Sequence, residues 1–270
     1  MSSLSTPASQ PPDLDAPGPL LVLLDPAAKQ ADGESVRIAK DVLCGGADCK
    51  VALPESPSEL DRVLEHRGRR RPVVIGSDQA LQRVLQALHR QRELGADPIG
   101  VVPVGRPAAT AAARGLGVPA EPVAAARAAL GGSPRKLDLL VDDGGGVVLV
   151  EVRFTGPRLG RAGGWRSLWA KLAAPEQAKG SPVEELRIEA DGRLLADVHQ
   201  EVARLRLGLA GGLMELSLRL DGRQQLHRAT ALTVVGRGFG YEADGVPVGP
   251  VRQRTWTVHA DAWALVLPVG

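Results

Sequence analysis

The chain has 270 residues, 44% of them apolar and 24% charged, with a net charge of +2. Those values suit an ordinary globular protein with room for two modest domains, and they exclude a disulfide scaffold and a strongly basic nucleic-acid binder. Six lysines against 27 arginines, with no asparagine at all, form a bias that a GC-rich coding sequence explains.

Cys44 and Cys49 have no second pair at zinc spacing and read as reduced or incidental thiols. No apolar stretch reaches the roughly 18–20 residues that span a bilayer. The N-terminus lacks the basic region and apolar core of a signal peptide. A cytoplasmic protein is expected, either free or peripheral at the membrane.

Residues 1–18, rich in Ser, Pro and Asp, read as a disordered tail. Leu20 to Leu24 is a continuous apolar run ending at Asp25-Pro26, which suits a strand buried on both faces. Val51 to Leu53 is a candidate second strand. Ser56-Pro57-Ser58-Glu59 places Ser at N-cap, Pro at N1 and Glu at N3 of a helix whose apolar stripe is Leu60, Val63 and Leu64. Pro72 to Ile75 is the next strand. Leu81, Val84, Leu85 and Leu88 then mark one face of a helix. Ile99 to Val102 predicts another strand, with short helices over Ala108–Arg114 and Pro122–Leu130. Strands alternating with helices predict a mostly parallel sheet over 19–134, with ligands beyond the strands' carboxyl ends, where the Gly76 and Gly105 loops lie.

Past Gly131-Gly132-Ser133-Pro134 the pattern becomes strand-rich. Leu137, Leu139 and Val141 alternate, and Val147–Phe154, Leu186–Ala190, Met214–Leu220, Ala229–Val235 and Trp263–Leu267 read as strands. Asp191-Gly192, Asp221-Gly222 and Asp244-Gly245 are hairpin turns by type. Residues 135–270 therefore predict a β-sandwich-like second domain, and Gly236-Arg237-Gly238-Phe239-Gly240 a bulge or tight crossing rather than a phosphate loop.

Two blocks carry a likeness. Val73-Val74-Ile75-Gly76-Ser77-Asp78-Gln79-Ala80 resembles Gly-Gly-Asp-Gly-Thr, and Pro103-Val104-Gly105-Arg106-Pro107-Ala108-Ala109 resembles Pro-x-Gly-Thr-x-Asn-Asp, both signatures of the diacylglycerol kinase catalytic family. Asp25-Pro26 stands where that family has Asn-Pro. Leu116-Gly117-Val118-Pro119, Arg135-Lys136-Leu137-Asp138-Leu139 and Asp244-Gly245 with the closing Ala264–Pro268 strand resemble further blocks in the same order. The resemblance covers most of the chain from Leu20 and implies an ATP- and Mg²⁺-dependent lipid kinase of two domains. Implied nucleotide contacts are Asp25, Gly76, Ser77, Asp78, Gln79, Gly105 and Arg106. The implied metal contact is Asp78, and Asp78, Asp244 and Glu242 are the remaining catalytic candidates.

The chemistry that should ride on this frame is largely missing. Ser77 and Gln79 replace glycines that let backbone N–H groups approach phosphates, and Ala80 replaces a threonine hydroxyl. Arg106 replaces Thr, Ala108 and Ala109 replace Asn-Asp, and Val246 replaces the glutamate implied as base. Asp78 has a second reading, as N-cap of the helix beginning near Ala80. Three functions stay open: an eroded module binding nucleotide or lipid, a working lipid kinase in which Arg106 and Glu242 or Asp244 substitute, and a scaffold for protein partners.

Arg67-Gly68-Arg69-Arg70-Arg71 reads as a solvated loop or a grip on anionic headgroups. Arg158, Arg161, Trp165, Arg166 and Trp169 read as buried tryptophans or a membrane-docking group. The five histidines show no metal spacing, and no Gly-x-Ser-x-Gly elbow exists.

Overall fold

The computed structural model describes residues 18–154 and 186–269. The expected tail, apart from Gly18, and the arginine–tryptophan group from Arg158 to Trp169 lie outside them. The first sheet has the order β2 (Cys49–Ala52), β1 (Leu20–Leu24), β3 (Arg71–Gly76), β4 (Gly100–Pro103), and every pair is parallel. All five residues of β1 are buried, as a strand covered on both faces requires.

Helices α2 (Gly33–Gly46) and α6 (Pro122–Gly131) pack on each other, and α3 (Pro57–Glu65) packs on α4 (Asp78–Gln91). Ser56 caps α3 as its sequence predicts, accepting the Glu59 amide at 3.2 Å, while the Glu59 carboxylate takes the Glu55 amide at 2.9 Å. Helices α1 (Pro26–Ala31) and α2 lie outside the elements that the sequence predicts. Asp25 and Asp32 cap them. The helix expected over Ala108–Arg114 is interrupted. A 3-10 turn at Pro107–Ala109 precedes α5 (Ala111–Gly115), with the buried Thr110 between them.

The second sheet is antiparallel throughout, in the order β12 (Arg223–Ala229), β11 (Leu213–Leu220), β10 (Val202–Ala210), β7 (Glu151–Phe154), β13 (Ala231–Ala243), β14 (Val246–Leu267), β5 (Ser133–Asp142), β6 (Val147–Val148). The pair β8 (Arg187–Ala190) and β9 (Arg193–Ala196) joins through β13. The three Asp-Gly hairpins form as predicted, each with both residues at positive φ (48°/77°, 48°/76° and 46°/80°). The glycine-rich stretch after Val235 is a bulge, where the β13–β14 register shifts twice before Tyr241. Phe154, Phe239, Tyr241 and Trp256 pack ring on ring in the core of this sheet.

The end of β14 returns to the first sheet. The Ile99 amide donates to the Ala264 carbonyl at 2.7 Å and the Val266 amide to the Ile99 carbonyl at 2.9 Å. Trp263, Leu265 and Leu267 thereby enter the same hydrophobic core as β1, β3 and β4.

The arginine run before β3 is only in part a solvated loop: Gly68 and Arg69 are exposed, while its other three arginines turn into the fold. Arg67 is buried, ion-paired with Glu93 and, at 3.4 Å, with Asp97. Arg70 pairs with Asp48 at 2.9 Å, and Arg71 donates to the Ala129 carbonyl at 2.5 Å. Those three guanidiniums hold the first domain together.

His89 on α4 meets His259 on β14 edge to face, ring centroids 5.5 Å apart. Burial, and then the neighbouring His259, lower the His89 pKa below its ordinary 6.5. The unfolded chain therefore binds this proton more tightly than the native one. The stability associated with neutral His89 is complete above pH 6.5 and is lost as the pH falls through the window beneath it. Urea midpoints measured from pH 7.5 to pH 5 should decline, and His89→Gln should flatten that decline; equal slopes in both proteins would refute the assignment.

Candidate ligand cleft

The carboxyl ends of β1 and β3 meet at Asp25 and Gly76. Asp25, only 3% exposed, accepts the Ser77 hydroxyl at 2.7 Å, the Ser77 amide at 3.3 Å, the Ala27 amide at 3.1 Å and the Arg83 guanidinium at 3.2 Å. Position 76 has to be glycine, because a Cβ there would lie 2.3 Å from that of Asp25. Ser77 also receives the Ala80 amide on its oxygen at 3.3 Å. Ser77, and not Asp78, is therefore the N-cap of α4. A cavity of about 390 Å³ opens beside this corner, reaching Pro54, Ser56, Arg83 and Arg90.

Asp78 turns the other way. Its carboxylate accepts the Ala112 amide at 2.7 Å and the Ala113 amide at 2.9 Å, so it tethers α5 to α4. Burial pushes the Asp78 carboxyl above its ordinary 3.8; the two amides pull it back, and the nearby Asp244 carboxylate pushes it further up.

Asp244 occupies the first position of the β13–β14 turn, at φ 46°. Its Oδ1 accepts the amides of Val150 and Glu151, each at 2.9 Å. Its Oδ2 accepts the Leu149 amide at 2.7 Å and the Gln82 side-chain amide, from α4, at 2.6 Å. Four donors fill the acceptor capacity of a carboxylate. These bonds also break the single strand predicted over Val147–Phe154 into β6 and β7, because residues 149–151 bend around the carboxylate.

Asp78 and Asp244 line one open interdomain cleft of about 480 Å³. Its apolar wall includes Ala108, Ala112, Leu116, Leu137 and Trp263. Asp138 lies at the same cleft, holding the Gly212 amide at 2.7 Å and the Asp261 amide at 3.0 Å. Arg106 is exposed and is not among the lining residues; Ala108, two positions on, takes that place. Gly105 precedes it at φ 142°. Gln79 borders a separate cavity of about 210 Å³, with Gln82, Gln86 and Tyr241. Glu242 sits opposite Arg153 of β7 and lines neither space. Strand alternation does not carry from Glu242 to Asp244, because the latter is already in the turn.

Sequence reasoning missed Gln82, Arg83 and Glu151. Gln82 and Arg83 reach Asp244 and Asp25, while Glu151 lines the cleft and pairs with Arg153 and Arg206. Gln82 and Arg83 lie on the polar face of a helix, where no periodicity marks a partner. Among the described residues, no three His, Cys, Asp or Glu side chains come together to hold a metal ion.

A parallel α/β domain joined by its closing strand to a large antiparallel sheet, with a cleft between them, is the two-domain fold of the diacylglycerol kinase-like lipid kinases. Two crystal structures from Bacillus anthracis str. Sterne carry it. One, provisionally assigned as a diacylglycerol kinase, matches 92% of this chain and 97% of its own with a TM-score of 0.71 and 13% identity. The other, described as a diacylglycerol kinase, covers 92% and 96% with a TM-score of 0.68 and 14% identity. No family model and no curated protein matches the sequence.

Replacing Asp244 by Ala strands three backbone amides and Gln82 together. The loss should be about 3–5 kcal/mol of stability, read as a lower urea midpoint. A change under about 1 kcal/mol would mean that the clamp is dispensable.

Proposed function

We propose that this chain is a diacylglycerol-kinase-like protein whose active site has been converted to structural use, and that it serves as a lipid-binding or regulatory module rather than as a working kinase. The single observation behind this reading is the occupation of its two surviving carboxylates. Asp244 has no lone pair left for a metal ion or a substrate proton, and both Asp78 oxygens hold α5 amides.

The residues present do not fit magnesium-bound ATP. Ala108 lines the cleft where the resemblance implies a polar ligand, Arg106 is not among the lining residues, and among the described residues the acids of the cleft do not come together in a group of three that could hold a metal ion. Losing a general base alone costs about 10²–10⁴ in rate. What remains is an apolar-walled space of about 480 Å³, large enough for the acyl part of a lipid. No helix among the described residues is long and apolar enough to cross a membrane; on this reading the protein works in the cytoplasm and meets its ligand at the membrane face.

One observation favours the rival, an active ATP-dependent lipid kinase. Asp78 and Asp244 share an open cleft, and the charge of the second raises the pKa of the first. Calorimetric titration with ATP, with and without Mg²⁺, separates the two. We expect no magnesium-dependent binding at millimolar ATP and only background labelling of diacylglycerol. Magnesium-dependent binding that Asp78→Ala abolishes would instead establish the kinase.

A further inference from the structure

We infer that the outer face of the β7–β10–β11–β12 sheet is a docking surface for an anionic phospholipid bilayer. Register alone places its side chains. Arg153, Arg206, Ser217 and Leu226 stand in one row across the four strands, and Glu151, Gly208, Glu215 and Arg228 in the next. Beyond them Arg204 faces Arg219 directly across the β10–β11 ladder.

Two features of this face oppose stability, and both suit a membrane. Leu226 projects outward with 76% of its surface exposed, the highest value of any large apolar residue among those described. Arg204 and Arg219 are like charges directly opposite each other, an arrangement that costs a sheet energy. Their neighbours are already engaged: Arg153 and Arg206 share Glu151, and Arg228 holds Glu215. Neither Arg204 nor Arg219 has such a partner among the described residues. The positive charge left over sits beside the exposed leucine. Guanidiniums meeting lipid phosphates while an apolar side chain enters the headgroup layer is how a peripheral surface binds an anionic leaflet.

A protein partner fits less well. A lone leucine ringed by charge gives no continuous apolar centre, which stable protein interfaces need.

The position of the face adds a second argument. Val150, 41% exposed, and Glu151 border both this surface and the interdomain cleft. With the sheet on a bilayer, the cleft mouth opens at the headgroup level. An acyl chain then enters the cleft past Val150 without crossing water. That route rests on the lipid-binding reading of the cleft, whereas the docking itself does not.

The test is flotation of the full chain with vesicles of phosphatidylcholine alone and with roughly 30% phosphatidylglycerol, in the absence of ATP. Binding should need the anionic lipid and weaken as salt rises from about 0.1 to 0.5 M. The double variant Arg204→Glu/Arg219→Glu should bind about tenfold or more weakly, and Leu226→Ser several-fold. All three positions are exposed, and an unchanged urea midpoint would show that folding is intact. No binding to anionic vesicles would overturn the inference, as would binding that both variants retain. Concentration-dependent self-association lost in Leu226→Ser, without vesicle binding, would reassign the face to a contact between copies. Because no nucleotide is present, these results stand whether or not the chain proves to be a kinase.

Discussion

The organisation of this protein depends on one carboxylate. Asp244 gathers the amides of residues 149, 150 and 151 and the side chain of Gln82, so that a turn of the second sheet, the corner between β6 and β7 and a helix of the first domain share a single acceptor. Bonds to a charged acceptor are shorter and stronger than neutral ones, and a partly buried site screens them less. This clamp closes one side of the cleft, and the Ile99–Leu265 bridge also ties the two domains together. An aspartate spent in this way is no longer free for chemistry, which connects the architecture to the function proposed for it.

The same trade recurs at other acids. Asp25, at the neighbouring cavity, is enclosed by Ser77, Ala27 and Arg83, and in the cleft Asp78 is held by the amides of α5 and Asp138 by those of Gly212 and Asp261. Each acid stands where a ligand or metal contact was expected, or close to it, and each closes a backbone corner. Burial without such partners would cost several kcal/mol per charge, so amide donors explain how acids persist in a cleft with apolar walls. Alanine at 108 then leaves space where the resemblance implies a longer polar side chain.

The first domain shows a parallel economy with arginine. Of the dense run before β3, Arg67, Arg70 and Arg71 are turned onto acids and a carbonyl inside the fold. The uncompensated arginines occur on a sheet face that no helix among the described residues covers. Counting charge along the chain marks the first group and overlooks the second, because strand alternation and register, not sequence proximity, assemble an outer face.

By itself the sequence determined the elements whose signals are local. These are the buried parallel strands, the Ser56 cap, the α4 stripe, the Asp-Gly hairpins and the glycine bulge, each set by periodicity, capping or turn chemistry within a few residues. Ordered blocks of that kind also carried the likeness to the lipid-kinase fold, which the structure bears out. The helices α1 and α2 carry no such local signal, because Asp25 and Asp32 act as their caps in a stretch with a weak apolar stripe. The partners of Asp78 and Asp244 were decided only in three dimensions. Gln82 lies 162 positions from Asp244 and Ala112 lies 34 from Asp78, and a carboxylate free to bind a metal has the same sequence as one saturated by amides. Which it is depends on where the chain brings its donors, and that is a property of the tertiary fold.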